Sequence, residues 1–189
     1  MNISTIQVRS ACSDDRDRIL AVHLDAFGNE DGPVIVSLLK EMLDDSTAEP
    51  IHSFVAEHEG KIVGHVLFTS VTIEPSSESN DGPTAQILAP LAVTGEMQGD
   101  GIGTQLVKEA LLQLAASGVQ FVLVLGYPKY YSRFGFVPAG VSGFEAPYPI
   151  PEMNADAWMV LELEADAVKS FNGTIKCCEA LSHQKYWVE

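Results

Sequence analysis

Residues 84–125 constrain the fold more than any other stretch, because strand, glycine-rich turn, helix and strand follow one another there with few residues to spare. An apolar strand over 84–93 runs into Gln98-Gly99-Asp100-Gly101-Ile102-Gly103. From near Gly101 a helix carries Leu106, Val107, Ala110, Leu111 and Leu114 along one face, the spacing of a helix with one buried side. Gly118 is its expected stop, since glycine takes the left-handed conformation that closes helices. A strand over 120–125 follows at once. Two strands joined by one helix run parallel, and such a crossover is right-handed. The expected fold class is therefore α/β (α+β), a mixed central sheet with helices on both faces.

The flanking segments fit that plan. Ile6 and Val8 share one side of a short strand over 5–9. A helix begins with Ser13 or Asp14 as N-cap and turns Ile19, Val22, His23, Ala26 and Phe27 toward the core. Residues 28–33 read as a turn, with Pro33 opening a second helix that buries Val34, Leu38, Leu39 and Met42. Strands over 53–57 and 61–73 flank the hairpin turn His58-Glu59-Gly60. Residues 75–83 read as a mobile polar surface loop. A short helix near Tyr130, a hairpin-like stretch at Gly135-Phe136-Val137 and a strand over 157–163 complete a single domain over 1–189. Its core covers about 6–165, and 166–189 form a C-terminal extension.

Composition narrows the partners. A net charge of −15 disfavours nucleic acid, whose phosphates need clustered Lys and Arg, and suits either a cationic substrate or plain solubility. No run approaches the roughly 20 apolar residues that span a bilayer. The N-terminus lacks the basic start and apolar stretch of a secretory signal. Three cysteines, Cys12, Cys177 and Cys178, match neither a secreted disulfide framework nor a metal site, and are expected as reduced thiols of a cytoplasmic protein.

The glycine-rich loop lets backbone N–H groups converge beside a helix N-terminus, which makes an anion site. Three ligands compete for it. A nucleotide-hydrolysing P-loop needs Gly-Lys-Ser/Thr, but Gly103 is followed by Thr104-Gln105. A dinucleotide fold needs G-x-G-x-x-G and an acidic residue after the next strand, where Gly126-Tyr127-Pro128 stands. A coenzyme A pyrophosphate remains.

Gln98-Gly99-Asp100-Gly101-Ile102-Gly103, entered from Leu91-Ala92-Val93, resembles the Q/R-x-x-G-x-G/A loop of the GNAT N-acetyltransferase superfamily. The stretch from Val124 through Tyr130-Tyr131-Ser132-Arg133-Phe134-Gly135-Phe136 to Ala139 is similar to the signature of its YhbS-type branch. Ala26-Phe27-Gly28, Gly64-His65-Val66-Leu67-Phe68 and Ala146-Pro147-Tyr148-Pro149-Ile150-Pro151 resemble it too, so the likeness spans about 6–165.

The resemblance implies a GNAT acyl-CoA N-acyltransferase fold and transfer of acetyl from acetyl-CoA to a primary amine of a small molecule or peptide, without a metal. Cofactor contacts are then expected from Leu91, Ala92, Val93, Gln98, Gly99, Asp100, Gly101, Ile102, Gly103 and Thr104. The strand ending at Val93 should splay from its parallel neighbour, so that its backbone pairs with the pantetheine amides and a backbone N–H near Ala92 or Val93 serves as oxyanion donor. Tyr131, four residues before Gly135, aligns with the tyrosine that in many relatives lies near the coenzyme A sulfur. A phenol there can donate a proton to the departing thiolate; the other reading is that it packs on the pantetheine and water protonates the sulfur. Tyr130 is expected to pack in the core, and Lys129 and Arg133 to be solvated. Glu30 and Asp31 are candidates to bind or deprotonate the amine, whereas His23 and His65 read as core histidines. A monomer or homodimer is expected, with no nucleic-acid or membrane partner. A non-catalytic acetyl-CoA-binding or sensing domain is the alternative, and an unrelated phosphate-binding α/β domain a third.

Overall fold

A computed structural model describes residues 6–74 and 82–187. The loop expected over 75–83 therefore lies mostly outside the described residues, as does Thr5. In chain order the elements are β1 (Gln7–Ser10), α1 (Arg16–Asp44), β2 (His52–His58), β3 (Lys61–Glu74), β4 (Ala85–Val93), α2 (Ile102–Ala116), β5 (Phe121–Leu125), α3 (Pro128–Tyr131), β6 (Val137–Pro138), β7 (Phe144–Glu145), β8 (Trp158–Glu162) and β9 (Gly173–Lys176). The main sheet runs β1-β2-β3-β4-β5-β8-β6, with β9 bridging β3 and β7. β4 and β5 run parallel, as the α2 crossover requires, and so do the short β7 and β9.

Each face of the sheet is covered by a different helix. Ile19, Val22, Leu38, Leu39 and Met42 of α1 pack with Leu67, Ala92 and Leu123 on one side. Leu106, Val107, Ala110 and Leu114 of α2 pack with Val66, Phe68 and Val122 on the other. Burying apolar area on both faces is the main stabilising term of such a sandwich. α2 ends as its glycine dictates: Gly118 has φ +88°, Val119 N–H donates to Leu114 O and Gly118 N–H to Ala115 O, both at 3.1 Å. That is the paired closure of a helix on a left-handed glycine.

Two expectations about the first helices change. No loop separates them. The break is confined to Gly28 (φ 70°, ψ −165°), and helix resumes directly, so Pro33 sits inside the second segment rather than opening it. Glycine alone tolerates that dihedral pair cheaply, and one residue suffices to redirect the chain. Val34 consequently faces out, 48% exposed. The N-terminal turn also differs, since Ser13–Asp15 forms a 3-10 turn whose N-cap is Cys12. Asp15, held by Arg9 at 2.6 Å and by the Cys12 N–H at 2.9 Å, has its carboxyl held far below the usual range, the Arg9 hydrogen bond being the largest cause.

The C-terminal extension belongs to the core. β9 pairs with the end of β3, and Trp187 lies edge-on against Trp158 with its Nε1–H donating to Leu181 O at 2.9 Å. Cys12, Cys177 and Cys178 are free thiols. Among the described residues no helix is long and apolar enough to cross a membrane.

Candidate active site

The parallel ladder between β4 and β5 is short: Ala85 pairs with Phe121, Gln86 with Val122 and Ile87 with Leu123, and there it stops. From Leu88 onward β4 follows β3 alone. The register of β3 against β4 shifts between Val66 and Phe68, opposite Ala89 and Pro90. Pro90 has no N–H to give a ladder, and a bulge of this kind bends its strand. β4 thus turns away from β5 and leaves a gap at their C-terminal ends.

That gap is a cleft of about 470 Å³. Leu91, Ala92 and Val93 form one wall, and Gln98, Gly99, Gly101, Ile102, Gly103 and Thr104 form its end. Asp100 is exposed and does not line it. The loop is held to the strand, since Gln98 Nε2 donates to Val93 O at 2.9 Å. On the opposite edge Asp25 of α1 accepts from the Gly95 N–H at 2.7 Å.

The loop's glycines have separate reasons. Gly101, the residue before α2, has φ +84°, and its first helical bond runs from Gln105 N–H to Gly101 O at 3.0 Å. A Cβ built on Gly99 or Gly101 meets nothing within 4 Å, so the space above these backbones is open to a ligand. A Cβ on Gly103 would stand 2.9 Å from the Tyr130 hydroxyl. The first-turn N–H groups of α2 therefore face an open cradle that suits a pyrophosphate.

The two tyrosines are placed the other way round from expectation. Tyr130 lines the cleft together with Tyr127, Arg133, Ala26 and Phe27. The Arg133 guanidinium lies 4.7 Å above the Tyr130 ring, and its Nη1 reaches Thr104 Oγ1 at 3.4 Å. Tyr131 is 8% exposed, packs edge-on against Tyr130 and Phe136, and does not line the cleft. Its ring presses on the end of β5: a Cβ on Gly126 would fall 2.4 Å from Tyr131 Cε2. Burial, with the neighbouring Tyr130, raises the Tyr131 phenol well above its ordinary range, so it stays protonated. The spacing of Tyr130 and Arg133, three residues apart on one turn, was the available signal that both share a face.

Glu30 and Asp31 are exposed on the second segment of α1 and do not line this cleft. With no loop there, nothing turns them inward. His23 and His65 are both fully buried on the α1 face of the sheet. His23 Nε2 and His65 Nδ1 are 2.8 Å apart, His65 Nε2 and Ser53 Oγ 2.9 Å, and among the described residues His23 Nδ1 has no hydrogen-bond partner. Desolvation lowers His23 to about 4 and drives His65 down as well, so both rings are neutral near pH 7.

Residues 7–139 match the family model for the acetyltransferase (GNAT) domain. The chain belongs to the GNAT acetyltransferase family. Within it, the chain is 41% identical over 167 residues to the uncharacterized N-acetyltransferase YjhQ of Escherichia coli K12, covering 87% of this chain and 88% of that protein. Its fold superimposes on the GNAT N-acetyltransferase YhbS of E. coli, solved in complex with CoA, with TM-score 0.84, 26% identity and 97% and 95% of the two chains covered. A GNAT acetyltransferase of Brucella melitensis solved with acetyl-CoA gives TM-score 0.68 at 26% identity, covering 94% and 99%. The chain is a GNAT N-acetyltransferase of the YhbS-type branch.

Proposed function

We propose that the protein transfers the acetyl group of acetyl-CoA directly to a primary amine while both substrates are bound. The observation that carries this is the early end of the β4–β5 ladder at Ile87 and Leu123, which opens a cleft lined by a stretch of β4 unpaired on its β5 side and closed by the glycine loop. The relatives solved with CoA and acetyl-CoA support the choice of ligand.

In this proposal the N–H groups from Gly99 to Thr104 and the α2 N-terminus hold the pyrophosphate, with Arg133 beside them. The free edge of β4 at Leu91–Val93 pairs with the pantetheine amides as an added strand would. A backbone N–H at Ala92 or Val93 faces the developing oxyanion. The amine lone pair attacks the thioester carbon, the attacking nitrogen gives up its surplus proton to solvent, the C–S bond breaks, and the thiolate leaves with a proton. Tyr131, which burial keeps protonated, is the donor in this proposal and is reprotonated from solvent. Because its ring packs against Gly126 and does not line the open cleft, the role requires the bound thioester to reach past the Tyr130 ring to its hydroxyl.

Tyr131→Phe removes the hydroxyl and keeps the ring. The expected outcome is a fall in kcat of about 10²- to 10⁴-fold with acetyl-CoA affinity unchanged, whereas Tyr130→Phe should act mainly on that affinity. Steady-state rates and calorimetry on both variants check it. Turnover of Tyr131→Phe within about threefold of the parent would mean that water protonates the thiolate. The function itself is tested by following free thiol on mixing the protein with acetyl-CoA and a panel of amines and peptides. Binding of acetyl-CoA without thiol release or N-acetyl product would select a sensing domain instead.

A further inference from the structure

A second cavity, of about 280 Å³, opens at the C-terminal end of β5 and shares Tyr127 with the first. Gly126, against which the Tyr131 ring is pressed, also lies in its wall. The two cavities thus adjoin across Tyr127, beyond the last paired residues of β4 and β5. Their chemistry differs. The first has Arg133 and a helix N-terminus, which suit an anion. The second has apolar walls from Ile150, Met153 and Trp187, and one charged side chain, Asp156. Among the described residues Asp156 enters no ion pair.

Tyr127 and Met153 stand at this cavity 82% and 89% exposed. Large apolar side chains held open around a concavity mark a place where an apolar group is taken out of water. The floor is rigid, for Gly126 N–H donates to Ala157 O at 2.9 Å and Trp187 is itself 2% exposed. Most of the wall comes from 150–157 and 187, outside the residues 7–139 that match the family. The chain's net charge of −15 adds a field that draws cations to the mouth.

We propose that this cavity takes the body of the acceptor, and that the acceptor is a small primary amine carried on a single ring or similar apolar group, drawn in as its ammonium by Asp156. The assignment rests on the acetyl transfer proposed above. The ring lies between Tyr127 and Met153, and the amine end points past Gly126 toward the thioester. Before attack the ammonium gives up one proton to solvent, so that the lone pair is free, and the nitrogen loses a second as the amide forms; with one proton delivered to the thiolate, the reaction releases one proton overall.

The test uses the full chain with acetyl-CoA and three acceptors: 2-phenylethylamine, ethanolamine and spermidine. The ring-bearing amine should have kcat/KM at least about tenfold above the other two, the usual discrimination of an apolar pocket. Asp156→Asn should raise the KM for 2-phenylethylamine about tenfold with kcat nearly unchanged, and Asp156→Glu should recover most of it. Met153→Ala should weaken use of 2-phenylethylamine and leave ethanolamine unaffected. Equal use of all three amines, no acetylation of any, or an unchanged KM in Asp156→Asn would overturn the proposal. Calorimetry of acetyl-CoA binding runs beside it. A parent protein that fails to bind acetyl-CoA removes the transferase proposal itself, whereas binding without discrimination among amines removes only the acceptor.

Discussion

Gly103→Val is expected to abolish acetyl-CoA binding, by about 100-fold or more, while the protein remains folded. A Cβ at this position lands 2.9 Å from the Tyr130 hydroxyl and 3.5 Å from Val93 Cγ2. The hydroxyl is the free end of a side chain, so the fold can accommodate the clash by moving it. The direction left open is the cleft, because Phe134 and Tyr131 both pack edge-on against the Tyr130 ring. Valine and a displaced tyrosine would then fill the cradle over the first turn of α2. A 100-fold loss corresponds to about 2.7 kcal/mol, within reach of losing several charge-assisted bonds to a pyrophosphate. Gly101→Val should act by another route, since no atom crowds its Cβ but φ +84° is costly for a β-branched residue. Calorimetry with acetyl-CoA, and melting curves of both variants, separate occlusion from strain. Parent-like affinity in a folded Gly103→Val protein would show that the cradle is not the pyrophosphate site.

The second large effect concerns acid. His23 is buried neutral, its pKa lowered from 6.5 to about 4 by desolvation, and His65 moves the same way. As pH falls through 6.5 the unfolded imidazole takes up a proton that the native one refuses until about 4. Stability is therefore complete above about 6.5 and declines between there and 4. At about 1.4 kcal/mol per unit, His23 accounts for roughly 3 kcal/mol of that decline. Asp15 works in a separate window, because its depressed carboxyl loses its contribution only below the ordinary range near 3.8. Urea denaturation at pH 7.5 and 4.5 should show the loss. The double variant His23→Phe/His65→Leu should flatten the curve across that interval while keeping the acid limb set by Asp15. A parent curve already flat from 7.5 to 4.5 would mean that the histidines ionise in the native state.

Much of the frame was legible from local pattern. The apolar face of α2, its stop at Gly118 and the parallel neighbours on either side depend on periodicity and on one glycine's freedom. Both are properties of short stretches, so the sequence carried them. The loop's backbone opening was legible for the same reason. Pro90, inside an apolar run, was a sign of the bulge that parts β4 from β5, because a residue without an N–H does not sit in a complete ladder. At the level of sequence, the splay of β4 from β5 follows from the family resemblance, not from Pro90.

Other features depended on distant residues. Glu30 and Asp31 read as loop residues because Gly and Pro cluster around them, yet Gly28 absorbs the whole turn and leaves both on an outer helical face. The cavity beside Tyr127 needs Trp187, which arrives from the far end of the chain and is seated by Trp158. The tyrosine pair shows the division most plainly. The sequence determined that two adjacent aromatic residues follow β5 on a short turn, and adjacent residues on a helix point about 100° apart. Which of them enters the cleft was decided only in the tertiary structure. Gly126 and Phe136 leave a hole that the Tyr131 ring fills, and Arg133 with Thr104 draws Tyr130 to the other side. Local propensity sets the turn; the partners that choose between its two faces come from elsewhere in the chain.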